Sequence, residues 1–235
     1  MNNKRSGNKV IEFFEKCVIK DVNPTYLCRE ERNEFAASCL SKKTQTILNV
    51  GSGGERFLKK SMPSHVEVFE VDMQGDCDLK IDLDSVDRFS FENDRFDACC
   101  AFDVLEHLEN FHKINEELYR MSKSEVLISL PNSAVEIPQV ILNSNRYTNS
   151  KENGVYSKYY GLPSVKPYDR HRWFLYFEDI IRFYMEFSKD KGCRVEFIVP
   201  ESKTIRRKIF RFIFGSRLYY TFFCPYVWIK LTKNM

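Results

Sequence analysis

No stretch of this 235-residue sequence stays apolar for anything near the ~18 residues that a membrane-spanning helix needs. The basic N-terminus also lacks the unbroken apolar run of a signal peptide, because Glu12, Glu15 and Lys16 interrupt it. The eight cysteines include no CxxC pair and no Cys/His grouping with zinc spacing. Most lie in apolar surroundings, where a reduced cysteine behaves as a small core residue, so a reducing, cytoplasmic setting is expected. No metal-ligand constellation stands out, and none is expected. No internal repeat and no domain boundary is visible, so a single domain over 1–235 is expected. Lysine and arginine are not spread in a nucleic-acid footprint. One absence is local: from Lys203 onward there is no acid, against eight basic residues, which leaves 28 basic and 33 acidic residues in 1–202.

What is present is globular in composition, 43% hydrophobic and 29% charged. The chain is organised around Thr44–Glu55, TQTILNVGSGGE. A short apolar run (Ile47, Leu48, Val50) ends in Gly51-Ser52-Gly53-Gly54, and the helix-like Glu55–Lys60 follows. This is a strand–turn–helix signature. The glycines permit a turn with positive φ and leave no Cβ against a ligand, and the following helix aims its N-terminal amides at the same place. Upstream, 8–20 and the stretch from Asn23-Pro24 to about Leu40 read as helices over this turn, a cap formed by 1–43. Strands are predicted at 46–50, 66–71, 78–81, 96–101 and 125–130, with a helix at 109–122. A further helix at 176–190, a strand at 194–199 and a last strand near Tyr226–Leu231 complete the series. Such alternation predicts an α/β fold with a mostly parallel sheet covered on both faces. The polar, tyrosine-bearing stretch 143–170 is expected to be an acceptor loop or lid.

The ligand of the glycine turn is narrowed by what surrounds it. A dinucleotide fingerprint needs a third glycine where Arg56 stands, and a P-loop needs Gly-Lys-Ser/Thr where Glu55-Arg56-Phe57 stands. The sequence resembles the class I S-adenosylmethionine-dependent methyltransferases, from about Ile47 to Pro131 and more loosely from His171 to Lys233. LNVGSGGE is similar to that family's first motif, although Asn49 replaces its usual acid and Glu55 its last glycine. VEVFEVD ends in Asp72, and IDL, FDACCAFDVLEHLEN, ELYRMSKSEVLISLPN and HRWFLYFEDIIRFYMEFSKDKGCRVEFI follow in the family's order. The resemblance implies a Rossmann-like, mostly parallel seven-stranded sheet with its last strand antiparallel. It implies S-adenosyl-L-methionine as cofactor, held by Asn49, Gly51, Ser52, Gly53, Asp72, Met73, Asp82, Leu83, Phe102 and Asp103. Within that set Asp72 would accept the ribose hydroxyls, Met73 would lie against adenine, and Asp82-Leu83 would meet the adenine edge.

Plainer readings stand beside these. Asp72 and Asp82 could be turn chemistry, and Asp103 the N-cap of a short helix. His107, next to Glu106, could orient a loop. Methyl transfer from a sulfonium needs chiefly that the acceptor be held against the methyl group in a dry pocket. A base matters only for an acceptor protonated at neutral pH, such as a sugar hydroxyl. Tyr168-Asp169-Arg170-His171-Arg172-Trp173 concentrates the groups for that task, with Asp169 raising the basicity of His171. Catalysis is therefore expected from His171 and Asp169, and acceptor binding from His107, Tyr159, Tyr160, Arg170 and Trp173. In the alternative, His171 and Trp173 are structural and the two arginines are solvated.

The LPN…YYGLP…DRHRW arrangement is similar to methyltransferases of bacterial surface-polysaccharide pathways, implying O-methylation of a small-molecule or lipid-linked sugar. The alternatives are an inactive S-adenosylmethionine-binding protein of the same fold, a methyltransferase for another small molecule, and a Rossmann-type oxidoreductase, which Arg56 opposes. The basic segment 203–223 places Ile205, Ile209, Phe210, Phe212 and Ile213 on one helical arc, with Thr204, Arg207, Lys208 and Arg211 opposite. That pattern predicts either a membrane-interface helix at the inner face of a membrane or a connector packed on the sheet.

Overall fold

The computed structural model describes residues 19–22, 26, 28–142, 170–200 and 204–234. Eight strands form one sheet: β1 (Ile19–Val22), β2 (Thr46–Val50), β3 (Glu67–Asp72), β4 (Leu79–Lys80), β5 (Phe96–Phe102), β6 (Ser122–Pro131), β7 (Arg194–Pro200) and β8 (Tyr226–Thr232). Their order across the sheet is β1-β7-β8-β6-β5-β2-β3-β4. β8 runs antiparallel to both its neighbours, β6 and β7, and every other pairing is parallel. This is the expected Rossmann-like sheet with its last strand reversed, extended by one strand.

Among the described residues six α-helices accompany it: α1 (Arg29–Cys39), α2 (Phe57–Ser61), α3 (Phe111–Met121), α4 (Ser133–Leu142), α5 (Phe177–Lys191) and α6 (Ile205–Phe223). Side chains alternate through the central strands, and both faces are buried. Leu48, Val50, Cys99, Ala101 and Ile128 join Leu118 of α3, Tyr184 of α5 and Tyr220 of α6. Ile47, Ala98, Cys100 and Leu127 join Ala36 of α1 and Leu58 of α2 on the other side. Continuous apolar strands of this kind are what a sheet covered on both faces requires. Burial pushes the Cys99, Cys100 and Cys224 thiols up, so they serve as core residues.

Two N-terminal expectations need correction. Residues 19–20 do not close a helix. They begin β1, which pairs Ile19 with Phe197 and Val22 with Pro200 at the sheet edge. The helix expected from Asn23 starts at Arg29. Residues 8–18 of the other expected helix lie outside the described residues, as does 143–169 of the expected lid. α4 was not foreseen, and it carries Pro138 inside it. The Pro131-Asn132 step before it has a structural use. The Asn132 side-chain amide lies 3.2, 3.0 and 2.8 Å from the carbonyls of Tyr220, Thr221 and Cys224, tying β6 to the end of α6.

Candidate active site

The glycine turn closes against β3. Gly51 N–H donates to the Val71 carbonyl at 2.8 Å, and Gly53 N–H donates to Asp72 Oδ2 at 2.8 Å. Gly54, at φ 68°, lies so near Gln74 and Gly75 that a Cβ would fall 2.7 Å from both. Arg56, the residue in place of a third glycine, itself adopts a left-handed φ of 54°. Its guanidinium reaches Asp76 at 2.8 Å and Asp78 at 3.0 Å, which binds the turn after β2 to the loop after β3.

Asn49 does not face this turn. It is buried opposite Glu70 in the β2–β3 register, and its amide sits 3.5 Å from Glu70 Oε1. An acid at position 49 would set two carboxyl groups together out of water, so the amide suits this partner. Burial raises the Glu70 carboxyl above its usual range, with the Asn49 amide opposing the shift.

The other nine expected cofactor residues line one cleft of about 770 Å³, a size usual for small-molecule sites. Gly51, Ser52, Gly53, Asp72 and Met73 form one wall, and Asp82, Leu83, Phe102 and Asp103 continue it. The Met73 side chain is 60% exposed. Asp82 also does turn chemistry, accepting from Asp84 N–H at 3.0 Å. Asp103 is not an N-cap: the short helix Leu105–His107 is preceded by Val104, and Asp103 holds a left-handed φ of 51°. Its carboxylate accepts from Ser129 Oγ at 2.6 Å and from Arg32 Nη1 at 2.5 Å. Arg29, Arg32 and Asn33 of α1 also line the cleft.

The far end of the cleft was only partly foreseen. Arg172 and Trp173 N–H groups donate to the Glu106 carbonyl at 2.8 and 3.3 Å, pinning 171–173 beside 105–107. The rings of His107 and His171 meet edge to face at 4.6 Å. Each presents Nε2 at 3.9 Å from Glu106 Oε1. Glu106 and His171 are buried, His107 is half-buried, and all three line the cleft. Glu106 is thus a carboxylate facing His171 that sequence reasoning overlooked; its adjacency to His107 just beyond a strand was the available signal. Asp169, Tyr159 and Tyr160 lie outside the described residues. Arg172 lines the cleft and pairs with Glu109 at 2.8 Å, while Arg170, half-buried, is not part of the cleft wall. Trp173 turns toward the core: its ring lies 5.8 Å from Phe111 and its indole N–H donates to the Leu108 carbonyl at 2.6 Å.

Residues 21–179 match the family model described as "Methyltransferase domain". Among solved structures, the chain is similar to a SAM-dependent methyltransferase from Archaeoglobus fulgidus, with 16% identity and a TM-score of 0.50 over 87% of this chain and 92% of that one. A putative S-adenosylmethionine-dependent methyltransferase from Listeria monocytogenes aligns with 14% identity and a TM-score of 0.52, covering 87% and 99%. The plantazolicin methyltransferase BpumL in complex with SAH aligns with 14% identity and a TM-score of 0.50, covering 88% and 82%. None of the curated proteins matches the chain.

Proposed function

The chain belongs to the methyltransferase domain family, and from that premise we propose that it transfers the methyl group of S-adenosylmethionine to a hydroxyl of a sugar or glycolipid. It is an S-adenosylmethionine-dependent methyltransferase, and one of the similar structures holds the demethylated product. The observation that carries the acceptor reading is the joining, in one cleft, of the glycine turn and Asp72 to the Glu106–His107–His171 cluster. Asp72 and the turn are suited to the donor. The cluster then lies at the acceptor end.

In the reaction the acceptor oxygen attacks the methyl carbon in line, the sulfur–methyl bond breaks, and S-adenosylhomocysteine leaves neutral. A hydroxyl acceptor must also give up its proton, which an amine-free cluster of imidazoles and a carboxylate can assist. A lipid-linked acceptor gains support from α6. Pro225 and Tyr226, just past its end, line the cleft. A break at Gly215 (φ 81°) divides α6 into two segments, and between them they expose Ile205, Ile209, Phe212, Ile213, Phe214, Leu218 and Phe222, with Phe212 90% exposed. An apolar face beside basic residues suits the surface of an anionic membrane, and we place the enzyme's work there. Among the described residues no helix is long and apolar enough to cross a membrane.

Incubation with methyl-labelled S-adenosylmethionine and a panel of nucleotide sugars and lipid-linked sugars tests the reading. Label is expected in an acid-stable methyl ether on a sugar. Label transferred only to amine, carboxylate or nucleic-acid acceptors supplied in parallel would overturn it.

A further inference from the structure

We propose that Glu106, His107 and His171 form a binding site for one divalent transition cation, open toward the acceptor end of the cleft. One ligand-type atom from each residue lies within 4.8 Å of the others, and both imidazole Nε2 atoms stand 3.9 Å from the same carboxylate oxygen. Ligand atoms sharing a zinc-like ion sit roughly 2.0–2.2 Å from it and so roughly 3.0–3.5 Å from one another. The side chains therefore need only a small inward adjustment, which half-buried His107 has room to make.

Three further features favour a cation over a merely packed cluster. The donor set is two imidazoles and one carboxylate, without thiolate, which suits borderline divalent ions such as zinc or iron rather than magnesium or calcium. The two ligand-bearing segments are locked together by main-chain hydrogen bonds from Arg172 and Trp173 to the Glu106 carbonyl, so the arrangement is held before any ion arrives. Finally, the described residues supply three ligands facing a cleft, the number found in catalytic sites that also take an oxygen from outside.

The role of the ion rests on the methyl-transfer reading given above. An acceptor hydroxyl bound to the cation is fixed in place and becomes more acidic, so its proton can leave to water as the oxygen–carbon bond forms. His107 and His171 are then ligands, and the acidifying charge is the metal's.

The test is titration of the untagged full chain, first dialysed against chelator, with cobalt(II), followed by visible absorption and calorimetry. One cobalt per chain is expected, displaced by zinc, with ligand-field bands but no sulfur-to-cobalt charge-transfer band. That last feature separates this site from the chain's cysteines. Glu106→Gln and His107→Ala should each weaken cobalt binding tenfold or more. Because Glu106 is buried and its variant could fail to fold, His107→Ala, at a half-buried position, decides the matter. S-adenosylmethionine affinity, measured on the same preparations, should not change. No cobalt binding, a sulfur band, or undiminished binding in a folded His107→Ala chain overturns the site. Failure to bind S-adenosylmethionine would instead count against the methyltransferase reading and leave the cobalt result to stand by itself.

Discussion

Glu70 is the residue whose chemistry is most at odds with its surroundings. It is buried on β3, where the Asn49 amide, the Lys59 backbone and the Arg56 charge ease its ionisation without offsetting the loss of water. Burial therefore raises its carboxyl above the usual 4.5. The sign follows from proton counts. Above the usual value the unfolded chain releases this proton while the folded one keeps it. Stability thus falls as pH rises, until the folded carboxyl ionises too. Glu70→Gln removes that loss. Urea unfolding at a series of pH values should show the variant gaining on the wild type as pH rises from about 4.5 and then levelling off. A difference that does not vary with pH would mean that Glu70 is ordinary. Asn49, opposite Glu70 in the β2–β3 register, presents an amide to that carboxyl where an acid would repel it.

At the scale of elements, α6 and its anchorage give two tests. Asn132 meets three carbonyls at the end of α6, so Asn132→Ala removes the donor that they share, although the Tyr220 carbonyl keeps the Cys224 N–H. A loss of about 2 kcal/mol in urea unfolding is expected, and an unchanged midpoint would show that water replaces the amide. The basic content of the C-terminal segment has two parts. Arg211 pairs with Asp21 at 2.7 Å, Arg217 with Glu178 at 2.8 Å, and Lys230 with Glu125 at 2.8 Å, so these charges serve the fold. Among the described residues, Arg206, Arg207 and Lys208 make no ion pair. Phe210 packs on Phe214 and Phe223, but most of the apolar residues of α6 are exposed to solvent rather than covered by the sheet. A connector packed on the sheet would bury them. Co-sedimentation with anionic liposomes should show binding that falls with salt, each basic residue contributing about 1 kcal/mol. Phe212→Ser with Lys208→Glu should reduce binding without lowering stability, since Phe212 and Lys208 are exposed. Wild-type protein left in the supernatant at low salt would contradict the membrane reading.

For the whole molecule, what was legible in the sequence was what is local. β2, β5 and β7 were readable to within about a residue, because buried apolar runs end at glycine, proline or a charge. The glycine turn was readable for the same reason, and the place of Asp72 at the end of β3 through the resemblance to the family's second motif. β1 was not: its four residues, Ile19-Lys20-Asp21-Val22, continue a pattern that also suits a helix, and only β7, far along the chain, turns them into a strand. α4 was hidden by Pro138, a residue that argues against a helix interior. Glu106 was passed over because its partner His171 arrives from another segment, joined to it by main-chain bonds that leave no mark in composition. The cleft built on Gly51–Gly53 and Asp72 is proposed to hold S-adenosylmethionine, with His171 at the acceptor end. Calorimetric titration with S-adenosylmethionine tests it most directly. Saturable binding at one site is predicted for the wild type, weaker by roughly 1.5–3 kcal/mol in Asp72→Ala, where charge-assisted hydrogen bonds are lost, and unchanged in His171→Ala. Undiminished affinity in a folded Asp72→Ala chain would contradict the account.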